Sequence, residues 1–385
     1  MLGAATLKAI RALAVAPLLA VSADAGAQPS CLAGFKNPQR SFPYNEARPV
    51  APPLALEVGE PLGNVTYRPR GQPADSTLDS YLGQFCTTSF LVLHKGLLVH
   101  ESYFQGVRPD DALQSASMSK TVLALLIGIA IEQGKLSLTE RVREVLPDFG
   151  ESAFAGSTVE DLLRMNSGVA LKNSYLAGEV SDNQATNPMF SPRESMHGYL
   201  RGKRERAPEG VRFHYNGAVT ALLGLMLSQR TQMSNTDFLA RTLWGPMGFE
   251  GSAYWIKNFR GEEGVQGQMA VRPRDWARLA RLVQDQGAAG GRQWVPRDWI
   301  AQMTALRMDK PQPSGPASYG LHIWIPQAAG GRSYFAGANG QYIFIDPVAQ
   351  VVIVHTANHR DAMFAGGDDH LFPLRNAIVA KLSKR

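Results

Sequence analysis

Two cysteines, Cys31 and Cys86, are all that 385 residues contain, and the eight histidines are scattered singly. Neither Cys-x-x-Cys nor His-Glu-x-x-His occurs, so no metal-ligand spacing can be read and no metal site is expected. A Gly-x-Ser-x-Gly elbow is also missing, which excludes the strand–nucleophile–helix plan of the α/β-hydrolases. Beyond the N-terminus no stretch is long and apolar enough to span a bilayer, so no stable membrane anchor is expected. The one basic cluster, Arg201-Gly202-Lys203-Arg204-Glu205-Arg206, has no interleaved aromatic residues. It reads as a solvated loop, and no nucleic-acid partner is expected. There is no internal repeat.

What is present is ordinary globular composition, 44% apolar and 19% charged, with net charge +6. Residues 1–27 have the form of a cleavable signal peptide. Lys8 and Arg11 make a basic start, Ala12 to Val21 is a short apolar run, and Ala25-Gly26-Ala27 fits a small-x-small cleavage site. An exported protein is therefore expected, periplasmic or secreted. In such a compartment Cys31 and Cys86 can form one disulfide, or remain two unrelated thiols. Residues 28–80 form an N-terminal extension. Up to about residue 74 it is rich in Pro, Ala, Arg and Gly and reads as an extended arm with little regular structure.

Patterning predicts strands at both ends of residues 81–385 and helices between. Thr88–His94 and Leu97–Phe104 flank Lys95-Gly96 as a hairpin. Ser333–Phe335, Tyr342–Ile345 and Val351–Val354 are three more strands, followed by a helix from about Phe372 to Lys381. Asp75-Ser76 is a candidate cap for a short helix through Leu82, and Ser157-Thr158-Val159-Glu160 has the form of a capping box. Lys120–Gln133, Asn216–Gln229 and Asn235–Leu243 read as helices. The expected class is α+β: an antiparallel sheet flanked by helices, with a mostly helical lobe inserted at about residues 126–254.

The chemistry-bearing motif is Ser117-Met118-Ser119-Lys120, a Ser-x-x-Lys. At i and i+3 the two side chains lie on one face, so an amine stands beside a hydroxyl that needs a base. Lysine serves as that base only if burial lowers its pKa, and the helix that follows is apolar almost all round. Taken alone the motif is near chance, roughly one match in a chain this long. Tyr215 is the second candidate, placed before an apolar helix where its hydroxyl can relay a proton. The third is Phe335-Ala336-Gly337-Ala338-Asn339-Gly340-Gln341. There the N–H of Ala338 can join the N–H of Ser117 in an oxyanion hole. Asn216 and Gly337 are candidate substrate contacts. The polar stretch before Tyr215 offers Asp182 or Glu179 as a carboxylate for a cationic substrate end. The six tryptophans, Trp324 among them, read as packing residues of which one or two line the cleft.

Together these residues resemble the serine β-lactamase and DD-peptidase superfamily, in the branch holding class C β-lactamases, related esterases and 6-aminohexanoate-dimer hydrolases. Supporting phrases recur in order over about residues 81–383, among them Gly128–Leu136, Val159–Gly168, Trp244–Gly248 and Arg274–Leu279. The resemblance implies a β-lactamase/transpeptidase-like fold, an acyl-serine mechanism through Ser117, Lys120 and Tyr215, and no cofactor. Two departures stand out. The family's second motif is often Tyr-x-Asn, whereas here Gly217 holds the third position. Its third motif usually begins with Lys or His, then Thr, then Gly, whereas here it reads Phe335-Ala336-Gly337. The missing cation, which would meet a β-lactam carboxylate, turns the expectation toward a small-molecule ester or linear amide. A DD-carboxypeptidase or weak β-lactamase, and a non-hydrolytic binding protein on the same fold, remain alternatives. Ser181-Asp182-Asn183 is a competing second motif, but no apolar helix follows it.

Overall fold

The computed structural model describes Cys31 and residues 35–172, 181–208, 213–314, 317–326, 331–361, 363–364 and 366–385. The signal-peptide segment 1–27 and Glu179 lie outside these residues.

The run ahead of Lys95-Gly96 and the run behind it form a hairpin, β1 (Thr87–His94) and β2 (Leu97–Tyr103). Lys95 and Gly96 have φ of 52° and 80°, the sense of turn that matches strand twist. From the far end of the chain come β3 (Ala317–Tyr319), β4 (Trp324–Pro326), β5 (Ser333–Gly337), β6 (Gln341–Asp346) and β7 (Val351–Ala357). They make one antiparallel sheet in the order β3-β4-β5-β6-β7-β1-β2, so the two chain ends meet where β7 pairs with β1.

Seven helices matter for the site: α1 (Leu78–Gln84), α2 (Ser119–Glu132), α3 (Val159–Leu163), α4 (Asp182–Ala185), α5 (Gly217–Thr231), α6 (Pro273–Gln284) and α7 (Gly367–Leu382). Helix α6 packs on one face of the sheet; α1 and α7 pack on the other. Leu91, Leu93, Ile343, Ile345, Val352 and Val354 face the larger core, which also holds α2 and α5. Phe90, Val92, Phe344, Val351 and Ile353 face the second core. A strand covered on both sides reads as an unbroken apolar run, and every residue of β1, β6 and β7 is buried. Twelve consecutive residues of α2, Ser119 to Ala130, are buried. That is the behaviour of a helix apolar all round.

Three boundaries differ from the sequence expectation. Thr77, not Ser76, caps α1 by accepting from the Ser80 N–H. The capping box of α3 is Thr158 with Asp161, one residue on from Ser157 and Glu160, because Ser157 Oγ donates to the Ser167 carbonyl instead. Helix α7 starts a turn earlier than Phe372 and runs through Pro373.

The N-terminal extension has more pairing than its composition suggests. Tyr44–Ala47 pairs with Ala253–Ile256 at the margin of a four-stranded sheet that ends on Leu113–Gln114. Residues 57–62 bond along β2, through Leu98 N–H to Glu57 O and Gly59 N–H to Leu98 O, and so cover an edge that would otherwise invite pairing with another chain. Cys31 and Cys86 are joined as a disulfide just ahead of β1. No helix among the described residues is long and apolar enough to cross a membrane.

Candidate active site

Ser117 lies in a 3-10 turn, Ala116–Met118, that leads directly into α2. In such a turn residues three apart stack. Lys120 Nζ is accordingly 2.8 Å from Ser117 Oγ. Ala116 has φ of 43°, an unfavoured left-handed geometry worth about 1–3 kcal/mol of strain for a non-glycine residue. It is held by Ser115, whose N–H donates to the Met269 carbonyl and whose carbonyl accepts from the Met118 N–H. Ser117 is partly exposed while Lys120 is only 3% exposed. Burial draws the lysine amine down from its ordinary 10.5 to about 7. It also donates to the Gln266 carbonyl at 2.5 Å. A neutral amine can keep that bond and turn its lone pair to the serine hydroxyl.

Tyr215 stands at the start of α5, with Lys120 Nζ 5.2 Å from its ring centroid. The ring packs on Trp324 at 5.4 Å and on Tyr319 at 5.8 Å, both from β3 and β4. Behind them His322 is buried. Its Nδ1–H donates to the Leu163 carbonyl and its Nε2 accepts from Thr220 Oγ1. Burial, then the neighbouring Lys120 charge, hold it down to about 3, so the imidazole stays neutral. The structure thus brings Ser117, Lys120 and Tyr215 together.

The end of β5 is pressed against the turn that carries Ser117. A Cβ at Gly337 would lie 2.7 Å from the Ser115 carbonyl and 3.0 Å from the Ser117 nitrogen. Only glycine permits that approach, which brings Gly337, the residue before Ala338, against the backbone of Ser115 to Ser117. Phe335 is wholly buried in the larger core, so a hydrocarbon ring fills the position of the family's cation.

Two expected substrate contacts are corrected. Asn216 is buried; its Oδ1 accepts from the Ala218 N–H as the cap of α5, and its Nδ2 donates to the Lys172 carbonyl. Asp182 is 1% exposed. It takes an ion pair from Lys203, a hydrogen bond from Tyr199 at 2.6 Å and one from the Lys172 N–H. A carboxylate at that depth must be paired within the protein, so it does not serve a substrate's ammonium. The sequence reading missed Gln266, Tyr319 and His322. A backbone carbonyl carries no residue signature, and Tyr319 meets Tyr215, with His322 behind it, only when β3 and β4 fold over the ring.

No group of three or more His, Cys, Asp or Glu residues among the described residues could hold a metal ion. Ser-x-x-Lys opening a buried helix, a tyrosine near its lysine and an antiparallel sheet packed on the same turn agree with the family that the sequence resembles. A beta-lactamase family profile matches residues 74–372, and the chain belongs to that family. It is 25% identical over 322 residues to the 6-aminohexanoate-dimer hydrolase of Paenarthrobacter ureafaciens, a match covering 80% of each chain. Among solved structures, a Bacillus anthracis protein proposed to be a 6-aminohexanoate-dimer hydrolase superposes with TM-score 0.80 at 21% identity, covering 91% of this chain and 92% of that one. The class C beta-lactamase of Rhodobacter sphaeroides superposes with TM-score 0.58 at 18% identity, covering 78% and 97%. The chain is therefore a beta-lactamase-fold member of a hydrolase family.

Proposed function

We propose that this protein is an exported serine hydrolase that cleaves a linear amide or carboxylic ester through an acyl-Ser117 intermediate. The observation that carries the reading is the buried Lys120 amine, 2.8 Å from the Ser117 hydroxyl and drawn down by burial to about 7, so that a large share of it is the free base near neutral pH. Lys120 takes the hydroxyl proton as Oγ attacks the carbonyl. The N–H groups of Ser117 and Ala338 receive the developing oxyanion. Tyr215 passes the proton to the leaving amine or alcohol, and water then releases the acyl group. No cofactor enters.

The preference for linear substrates over β-lactams rests on Phe335, which leaves no cation at that point for a ring carboxylate, and on the likeness to the 6-aminohexanoate-dimer hydrolase. Export rests on the pattern of residues 1–27; the Cys31–Cys86 bridge agrees with an oxidising compartment. The test is turnover of 6-aminohexanoate dimer, a p-nitrophenyl ester series and a fluorescent penicillin by the parent and by Ser117→Ala. Turnover of the dimer or the esters is expected to vanish in the variant. Durable penicillin labelling without turnover of either would replace this reading with a penicillin-binding one.

A further inference from the structure

Asn183 reaches from α4 to the start of α5, where its Oδ1 accepts the Gly217 N–H at 2.6 Å. A Cβ at position 217 would lie 2.7 Å from that same oxygen and 3.2 Å from Gln266 Cγ. The carboxamide therefore occupies the room a side chain at 217 would need, two residues after Tyr215. Three residues further along the same turn, the Thr186 carbonyl accepts from Gln266 Nε2 at 2.5 Å. Gln266 in turn presents its own carbonyl to Lys120 Nζ. One short turn thus grips the Tyr215 segment with one hand and the Lys120 acceptor with the other.

A four-residue helix has no stability of its own, so something must fix this turn. The fixture lies directly beneath: Ser181 Oγ accepts from the Asn183 N–H, and Asp182 is locked by Lys203, Tyr199 and the Lys172 N–H. Both partners of the grip are then rigid. The family's second motif often delivers a carboxamide from the third position of Tyr-x-Asn; here that position is empty, and the amide arrives from a different segment of chain.

We infer that Asn183 is a positioning residue, seated in the socket left by Gly217, that sets Tyr215 relative to Lys120. The inference rests on the hydrolase reading above. It makes Gly217 and Asn183 a coupled pair. A methyl at 217 expels the amide, and loss of the amide removes the acceptor of the Gly217 N–H, leaving the α5 start held by the Asn216 cap and Tyr215 by its ring contacts alone.

The experiment compares p-nitrophenyl acetate hydrolysis by the parent, Gly217→Ala, Asn183→Leu, Asn183→Asp, the double variant Gly217→Asn/Asn183→Ala, and Ser117→Ala, with thermal unfolding of each. Gly217→Ala and Asn183→Leu are expected to lower kcat about 10- to 100-fold, the scale of a roughly 1 Å misplacement, with KM changed less than about 3-fold because neither residue is placed against the substrate. Asn183→Asp keeps the oxygen that accepts the Gly217 N–H, and the double variant restores a carboxamide from the helix side. Both are expected to regain most of the lost kcat. Parent-like kcat in Gly217→Ala and Asn183→Leu overturns the inference. So does a loss in which Asn183→Asp fares no better than Asn183→Leu, or one that tracks melting temperature alone. Equal turnover by the parent and Ser117→Ala is a different failure, that of the hydrolase reading itself.

Discussion

Lys120 is where burial and function pull against each other. Its amine ionises near 7 in the folded protein and near 10.5 when unfolded. Between those values the unfolded chain holds a proton that the folded chain has released. Stability contributed by this group is therefore lowest below about pH 7 and rises as pH climbs toward 10.5. Activity should follow the same ionisation: kcat/KM is expected to climb through an acid limb near pH 7, where the free amine appears. Lys120→Met removes both effects. The variant should be inactive, yet melt higher than the parent by at least about 3 °C at pH 6, with the gap shrinking at pH 9. A parent profile flat from pH 5 to 9 would remove Lys120 as the base. The hydroxyl, amine and phenol of this site were legible because each needs a particular side chain. Asn216 and Asp182 were misread because a helix cap or a buried ion pair has the same one-residue signature as a substrate contact. Only burial separates them.

At the scale of elements, the site depends on how closely β5 can press on the turn that carries Ser117. The Gly337→Ala side chain would meet the Ser115 carbonyl and the Ser117 nitrogen at 2.7 and 3.0 Å, and neither is the flexible end of a side chain. The strand must retreat and take the Ala338 N–H with it. Loss of one oxyanion donor typically costs about 10²–10³ in kcat, so with the proposed oxyanion role of the Ala338 N–H the Gly337→Ala variant should fall by about that much, while the Ser117–Lys120 contact, made within the turn, survives. An acid limb still near pH 7 in the variant's residual kcat/KM would show that the Ser117–Lys120 contact is intact and that the loss lies elsewhere. The turn after β5 has its own brace. His355, buried on β7, donates from Nδ1 to the Gly340 carbonyl at 2.8 Å and meets the Tyr81 hydroxyl of α1 through Nε2 at 3.0 Å. Burial holds this imidazole down to about 3, so the brace does not change charge at ordinary pH. His355→Leu strands two buried polar groups and is expected to cost about 2–5 kcal/mol in urea unfolding. An unchanged midpoint would show that the turn stands without it.

The whole molecule was legible in outline because strand and helix periodicities segregate along the chain: the hairpin near residue 95, three strands near the other end, and apolar helices between. What the sequence could not show was the work of the N-terminal extension. Its Pro-rich composition hides the backbone pairing that lays residues 57–62 on β2 and Tyr44–Ala47 on Ala253–Ile256, since main-chain hydrogen bonds place few demands on side chains. The same extension reaches the active-site rim. Cys31 bridges to His359 in strand fashion, His359 exchanges hydrogen bonds with Asn339 in the turn after β5, and the Asn358 N–H donates to the Cys86 carbonyl. The disulfide closes a span of 55 residues, for which the chain-entropy account gives about 4 kcal/mol. Reduction, or the double substitution Cys31→Ser and Cys86→Ser, is therefore expected to lower the unfolding free energy measured in urea by up to about that amount. Because the bridge meets the segment that holds Asn339, esterase kcat should fall as well, well below the denaturing concentration. A stability loss with kcat untouched would mean that the extension braces the sheet but not the Ala338 turn.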